Sequence, residues 1–255
     1  SPTSASGCAP PPELNSPDGS ALQGPCAVAA YDNTLWLPAG WHAQPLATGD
    51  VLCQREARSV ATGEAPNALG LEIHRQRLEA IAEQMGAVLM SAAFSSNIKE
   101  RRDYSCAIFD AEGRMLCHAA HIPVHLGSTP LSVAAAIAAL PMRRGVDIVL
   151  NDPFAGGTHL PDVTVVTPVF VGDSAPTPMF LVANRAHHAD VGGISPGSMP
   201  APFTADGKVR PLTIDDEGIR LPPTAINDEV RARFAAASRM PTERRGDLRA
   251  QEAAN

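Results

Sequence analysis

Two short stretches of this chain set histidine and aspartate at the same spacing. "NDPFAGGTHLPD" (151–162) puts His159 three residues before Asp162; "HHADVGG" (187–193) puts His187 three residues before Asp190, with His188 alongside. Neutral imidazoles with one or two carboxylates suit Mn²⁺, Fe²⁺ or Zn²⁺ and leave positions for water or substrate. A cation so held polarises a carbonyl or provides hydroxide near neutral pH. The expected ligands are therefore His159, Asp162, His187, His188 and Asp190. A glycine pair adjoins each motif, Gly156-Gly157 and Gly192-Gly193. Without a Cβ these residues let backbone amides approach a substrate closely. The second pair, with "SPGS" (195–198), reads either as an anion-binding nest or as a plain surface loop. A lone H-x-x-D is usually a loop histidine making an ordinary hydrogen bond; the repetition carries the argument.

Further candidates lie nearby. "HAAHIPVHLG" holds His121 and His125, and Asp152 follows an apolar run; these three are the catalytic candidates. Pro123 stands between the two histidines and forbids a regular helix joining them. Substrate contact, a supporting hydrogen bond and a structural role all remain open for them. Cys106 and Cys117 sit in apolar strand contexts and read as core thiols. No G-x-x-x-x-G-K-[ST], G-x-G-x-x-G after a strand, or G-x-S-x-G elbow is present.

The elements that must position these residues are legible as patterns. "VTVVTPVFV" (163–171) and "MFLVANR" (179–185) are apolar on both faces and belong inside a sheet. His159 and Asp162 precede the first strand; His187, His188 and Asp190 follow the second. Paired antiparallel, the strands bring both clusters to one sheet edge. Upstream, Leu78, Ile81, Met85, Val88, Leu89 and Ala92 recur at helical spacing, with Asn67 as the cap. A β-hairpin is expected across 104–119, a helix over about 128–140, a buried strand at 146–150, and helix again from Asn227 with a break at Pro241. Before residue 67 the signals are different. Residues 1–23 read as a flexible Pro/Ser/Gly-rich segment, 24–54 as a short β module in which "TLWLPAGWHAQ" is strand, turn and strand, and 55–66 as a linker. The expected class is α+β, a small β-rich module followed by a mixed α/β domain with a central, largely antiparallel sheet.

Composition bounds the rest. Of the 255 residues 44% are hydrophobic and 18% charged, which fits a globular chain. A net charge of −7 argues against nucleic acid as partner, and the basic clusters at 98–102 and 243–249 read as solvated ion-paired helix faces. Five widely spaced cysteines without C-x-x-C fit a reducing compartment. The longest apolar run, 131–140, is too short to span a bilayer. No secretory leader opens the chain, so a cytoplasmic protein with no membrane partner is expected. It starts without methionine and stops inside a helix-like run, as a piece of something longer does.

Longer motifs carry a resemblance. "IAEQMGAVLMSAAFSSNIKERRDYSCAIFDAEGRMLCHAAHIPVHLGS" (81–128), "LNDPFAGGTHLPDVTVVTPVF" (150–170), "RAHHADVGGISPGSMP" (185–200) and "ERRGDLRAQEAAN" (243–255) resemble the hydantoinase B family, which would cover 67–255. "GPCAVAAYDNTLWLPAGWHAQPLATGDVLCQ" (24–54) resembles the closing β segment of hydantoinase A. The order A then B is that of the 5-oxoprolinase family. The resemblance implies ATP-dependent opening of 5-oxo-L-proline to L-glutamate, with ATP cleaved to ADP and phosphate. It places ATP and Mg in the hydantoinase A half, and a divalent metal on a His/Asp set of the kind seen here. It also implies a small lactam as substrate, the remaining parts of both halves as partners, a homo-oligomer, and a fragment inactive by itself. A hydantoin-type amidohydrolase, an acetone or acetophenone carboxylase-type subunit, and a non-catalytic scaffold are the alternatives.

Overall fold

Strands that are apolar on both faces need a layer on each side, and the computed structural model supplies both. It describes residues 21–29, 34–46, 48, 50–55, 67–203 and 207–255. The chain divides into two units, residues 1–65 and 66–255.

The first unit holds β1 (Leu22–Gln23), β2 (Cys26–Ala29), β3 (Thr34–Leu37), β4 (Trp41–Pro45) and β5 (Val51–Arg55). The strand, turn and strand expected over 34–44 form, with Gly40 at φ +76° in the turn. The two arms do not pair with each other. β3 pairs with β2, whereas β4 is the centre of an antiparallel sheet β1-β4-β5. Leu22–Gln23 fall within the segment expected to be loop, yet pair with His42 and Ala43. The rest of that expected segment, 1–20, and linker residues 56–66 lie outside the described residues.

The second unit runs α1 (Ala68–Ala92), α2 (Ser96–Lys99), β6 (Tyr104–Asp110), β7 (Met115–His118), α3 (Pro123–Leu126), α4 (Thr129–Ala139) and β8 (Ile148–Leu150). It continues through β9 (Asp162–Val169), β10 (Phe180–His187), β11 (Thr224–Ala225), α5 (Asp228–Ala237) and α6 (Pro241–Ala254). The sheet order is β11-β8-β9-β10-β6-β7, with every neighbouring pair antiparallel, so β9 and β10 are central. This is the expected α+β architecture.

Period-2 alternation sorts the side chains. On β10, Leu181 and Ala183 pack with Phe109, Ile148 and the α4 residues Val133 and Ala136. Val182 and Ala186 pack on the other face, against Met85 and Leu89 of α1 and Ala250 of α6. Burying a side chain such as Leu89 contributes roughly 1.5–3 kcal/mol. α1 begins where Asn67 was expected to cap it, its side chain accepting the Gly70 amide at 2.7 Å. Met85 and Leu89 are buried as the spacing predicts, but Ile81 and Val88 of the same series stay 45% and 41% exposed. α6 starts at Pro241, the ring at its first turn, where the missing N–H costs nothing. Among the described residues no helix is long and apolar enough to cross a membrane, and Cys26, Cys53, Cys106 and Cys117 are free thiols.

Candidate metal centre

Asp162 opens β9 and His187 closes β10, and the register sets them directly opposite each other. His187 Nδ1 lies 3.1 Å from Asp162 Oδ1. His159, one turn earlier on the loop, brings Nδ1 to 3.5 Å from Asp162 Oδ2 and Nε2 to 3.3 Å from His187 Nδ1. One donor atom from each of the three lies within 4.8 Å of the others, and they form the group of possible metal ligands among the described residues. The facing-strand argument thus joins the two sequence motifs at one edge.

Electrostatics suits a cation. Burial pushes the Asp162 carboxyl up, but hydrogen bonds from His125 and His187 and the nearby imidazole of His159 outweigh it and hold the group well below the carboxylate range. Burial, opposed by Asp162, pulls the His159 imidazole down. An ionised carboxylate and a neutral imidazole are the forms a metal needs. Asp162 is 6% exposed at its side chain and His159 42%, so the ring of His159 forms the open side.

The other expected ligands stand elsewhere. His188 is one residue beyond His187, so it points to the opposite face. There its Nε2 lies 2.8 Å from Gln251 Oε1 and its Nδ1 3.2 Å from Arg244 Nη1, both on α6. Burial, with Arg244 beside it, holds its pKa low. Arg244 in turn pairs with Asp247 at 3.0 Å, and neither side chain is exposed. The 243–249 cluster, expected to be a solvated face, therefore contains a buried ion pair. The reason is that α6 lays this side on the sheet. Asp190 is not at the cluster either. Its carboxylate accepts from the amides of Gly192 (3.0 Å) and Gly197 (3.3 Å) and pairs with Arg239 at 2.8 Å. Burial raises the Asp190 pKa, and the Gly192 and Arg239 hydrogen bonds more than reverse that. Of the two readings of this stretch, an anion-binding nest or a plain loop, the structure shows the Gly192 and Gly197 amides turned on the protein's own Asp190 carboxylate.

The glycine pairs make room for backbone. A Cβ at Gly157 would lie 2.6 Å from the Asn151 carbonyl oxygen, and one at Gly192 2.5 Å from that of Ala237. Gly156 and Gly193 meet protein atoms in the same way. Asp152 caps the turn that follows it, accepting the Phe154 amide at 2.9 Å. His121 packs edge-on against Tyr104, 4.8 Å between centroids, with Nε2 3.7 Å from Glu83. Of the three catalytic candidates only His125 reaches the cluster. It lies in the single turn of α3 that Pro123 opens, with Nε2 3.4 Å from Asp162 Oδ2 and Nδ1 3.0 Å from Ser105 Oγ.

Residues outside the sequence expectation surround the site. Asp103 Oδ1 lies 3.8 Å from His125 Nε2. Thr158 donates to Asp162 Oδ2 at 3.2 Å. Arg185, wholly buried two residues before His187, donates to Thr164 (2.9 Å), Ser132 (2.6 Å) and Ser128. Ser132 also donates to the Gly156 carbonyl at 2.5 Å, which ties α4 to the loop bearing His159. An arginine inside a largely apolar strand was the available signal for this cation.

The model for the family described as hydantoinase B/oxoprolinase matches residues 67–255. 5-Oxoprolinase 1 of Arabidopsis thaliana is 36% identical over 253 residues, 93% of this chain and 20% of that protein. The chain thus spans about one fifth of the length of such curated relatives. Among solved structures, the ATP-dependent caprolactamase of Pseudomonas jessenii aligns with TM-score 0.63 and 27% identity, covering 75% of this chain and 32% of that one. Nucleotide-free acetone carboxylase shares the fold at 18% identity and TM-score 0.52, over 71% of this chain and 25% of its own.

Proposed function

The chain belongs to the hydantoinase B/oxoprolinase family, and from that membership we propose that it forms part of an ATP-dependent cyclic-amide hydrolase. Its substrate on this reading is 5-oxo-L-proline, opened to L-glutamate as ATP is cleaved to ADP and phosphate. The observation that carries the reading is the convergence of His159, Asp162 and His187 at the edge of the β9–β10 pair.

Those three residues hold a divalent cation, Mn²⁺, Fe²⁺ or Zn²⁺, on this proposal. Such an ion supplies Lewis-acid polarisation of an amide carbonyl and lowers the pKa of water. The chain's own groups prepare the place. Asp162 stays ionised and is oriented from two sides, by Thr158 and His125. Arg185 and Ser132 fix the loop that presents His159. His125, between Asp162 and Asp103, is placed to hold or accept a proton beside the site. ATP and its Mg²⁺ belong to the hydantoinase A half of the family.

The test pairs two measurements. Elemental analysis of the dialysed chain is expected to find near-stoichiometric Mn, Fe or Zn, absent from a His159→Ala/Asp162→Ala variant. Combined with a hydantoinase A half, the chain should release glutamate from 5-oxo-L-proline and ATP, and the variant should not. Unchanged turnover in the variant would leave these residues a structural role only.

A further inference from the structure

A cavity of about 410 Å³, within the range of ligand pockets, opens where α1 meets the start of β6. Its polar wall is Arg101, Arg102, Tyr104, His121 and Glu83. Tyr104 pairs with Ala186 and packs with Met85 and Leu89, so the cavity lies on the α1 face of the sheet, opposite the face that gathers Asp162 and His187. Two guanidinium groups stand against one carboxylate, and that carboxylate is already engaged. Glu83 Oε1 accepts the Ala120 amide at 2.8 Å, and Oε2 stands 3.7 Å from His121 Nε2. Burial holds the His121 imidazole below its ordinary pKa. With that ring neutral, the wall carries one net positive charge.

An exposed arginine without a partner is ordinary, and Arg77 on α1 is one. Arg101 and Arg102 differ in place and in backbone. The basic cluster at 98–102 was expected to be an ion-paired face, but these two residues lie past the end of α2 and pair with no carboxylate among the described residues. Arg102 holds φ at +55°, one of two described non-glycine residues at positive φ. There the Cβ crowds the backbone carbonyl, so the conformation is strained. The turn divides two neighbours: Arg102 lines the cavity, while Asp103 brings Oδ1 to 3.8 Å from His125 Nε2 beside the other cluster. Tyr104 adds a polar atom. It is 3% exposed, yet its hydroxyl has no partner in the protein and is not sealed from solvent, so it opens into the cavity it lines. A buried tyrosine hydroxyl ordinarily finds a partner; here that partner has to enter the cavity.

We propose that this cavity binds a small oxyanion, a carboxylate or phosphoryl group, held by the Arg101 and Arg102 guanidinium groups with the Tyr104 hydroxyl donating to it. Guanidinium forks match both groups bidentately, and a hydrogen bond to a charged acceptor is stronger than one between neutral groups. Glu83, beside His121, repels an anion and so keeps the charged end of the ligand with the arginines. The apolar part of the wall, Ala87, Met90 and Ile122, admits a short carbon skeleton. The site goes beyond the amide-hydrolase reading, because it lies on the other face of the sheet from the cluster that carries that reading.

The test titrates the chelator-treated full chain with sodium phosphate and, separately, with sodium succinate, read by calorimetry in a buffer that holds neither. Saturable binding of at least one is expected, and the tighter of the two identifies the group. Arg102→Gly is the sharpest variant, because glycine accepts φ +55° without strain. Its thermal midpoint should equal or exceed the parent's while binding weakens about 10- to 100-fold, the range for hydrogen bonds to a charged group. Arg101→Ala should weaken binding about tenfold, and it keeps the test open should Arg102→Gly disturb folding. Tyr104→Phe should cost about two- to tenfold, the range of one hydrogen bond. Arg77→Ala, outside the cavity, and His159→Ala, at the other cluster, should each leave binding within about twofold. Absence of saturable binding by either probe overturns the proposal, as does binding that survives both Arg102→Gly and Arg101→Ala. Equal loss in Arg77→Ala would show a diffuse surface charge, and loss in His159→Ala would put the anion at the other cluster; either result sinks the site.

Discussion

His187 and His188 are adjacent in sequence and serve two different clusters on opposite faces of one sheet. Towards α4, His187 meets His159, Asp162 and, through Asp162, His125; His159 is partly open to solvent. Towards α6, His188 meets Gln251 and Arg244, with the Arg244–Asp247 pair behind it, all wholly buried. Both clusters contain imidazole and carboxylate, but only the first brings three possible ligand atoms together beside a ring open to solvent. In the second, Gln251 also donates to the Val163 carbonyl and to Asn184, and Asp247 accepts the amides of Phe94 and Ser95. The α6 cluster is not fully satisfied, since Arg244 Nε and Asp247 Oδ2 have no hydrogen-bond partner, but its complete burial keeps a ligand out, whereas the first cluster converges beside the half-open ring of His159 and can take one.

Substitutions should separate the two. The largest effect is expected for Asp247→Ala. It leaves the buried Arg244 with Glu243 as its remaining carboxylate partner and strips the acceptor from two amides, at a cost of about 3–5 kcal/mol, read as a lower denaturation midpoint. If Asp247→Ala melts like the parent, the α6 cluster is not structural. Next is His159→Ala, which should cut Mn²⁺ affinity by at least about 100-fold, beyond the loss typical of an outer hydrogen-bond partner. Its thermal midpoint should stay close to the parent's; a large drop would mean that the open cluster is a stability element after all. His188→Asn should cost about 1–3 kcal/mol through unmet hydrogen bonds to Gln251 and Arg244, with Mn²⁺ affinity unchanged by calorimetry. Loss of Mn²⁺ in that variant would show the two faces to be coupled. Thr158→Ala should have the smallest effect, about tenfold in Mn²⁺ affinity, with no measurable change in the melt.

Much of the frame is legible locally. The Asn67 cap, the hairpin at Gly113, the helix at Pro241 and the two doubly apolar strands follow from residue types within a few positions of each other. So does the antiparallel meeting of Asp162 and His187, because short motifs flank both strands. Ile81 and Val88 show the limit, since their spacing is helical but the face they take depends on what packs against α1. Arg244 and Asp247 show it more sharply: the same "ERRGDLR" stretch is compatible with a solvated face until α6 is laid on the sheet.

By itself, then, the amino-acid order determined the element types, the pairing of the central strands and a set of histidines and aspartates at one end of them. Only the tertiary structure chose among that set. It took His187 and rejected His188 because successive strand residues point to opposite faces. It spent Asp190 on Arg239 and nearby amides, and it brought His125 to Asp162 from 37 positions away in the chain. Spacing along a chain specifies local geometry, but which side chains share a site is set by register and packing between segments far apart in sequence.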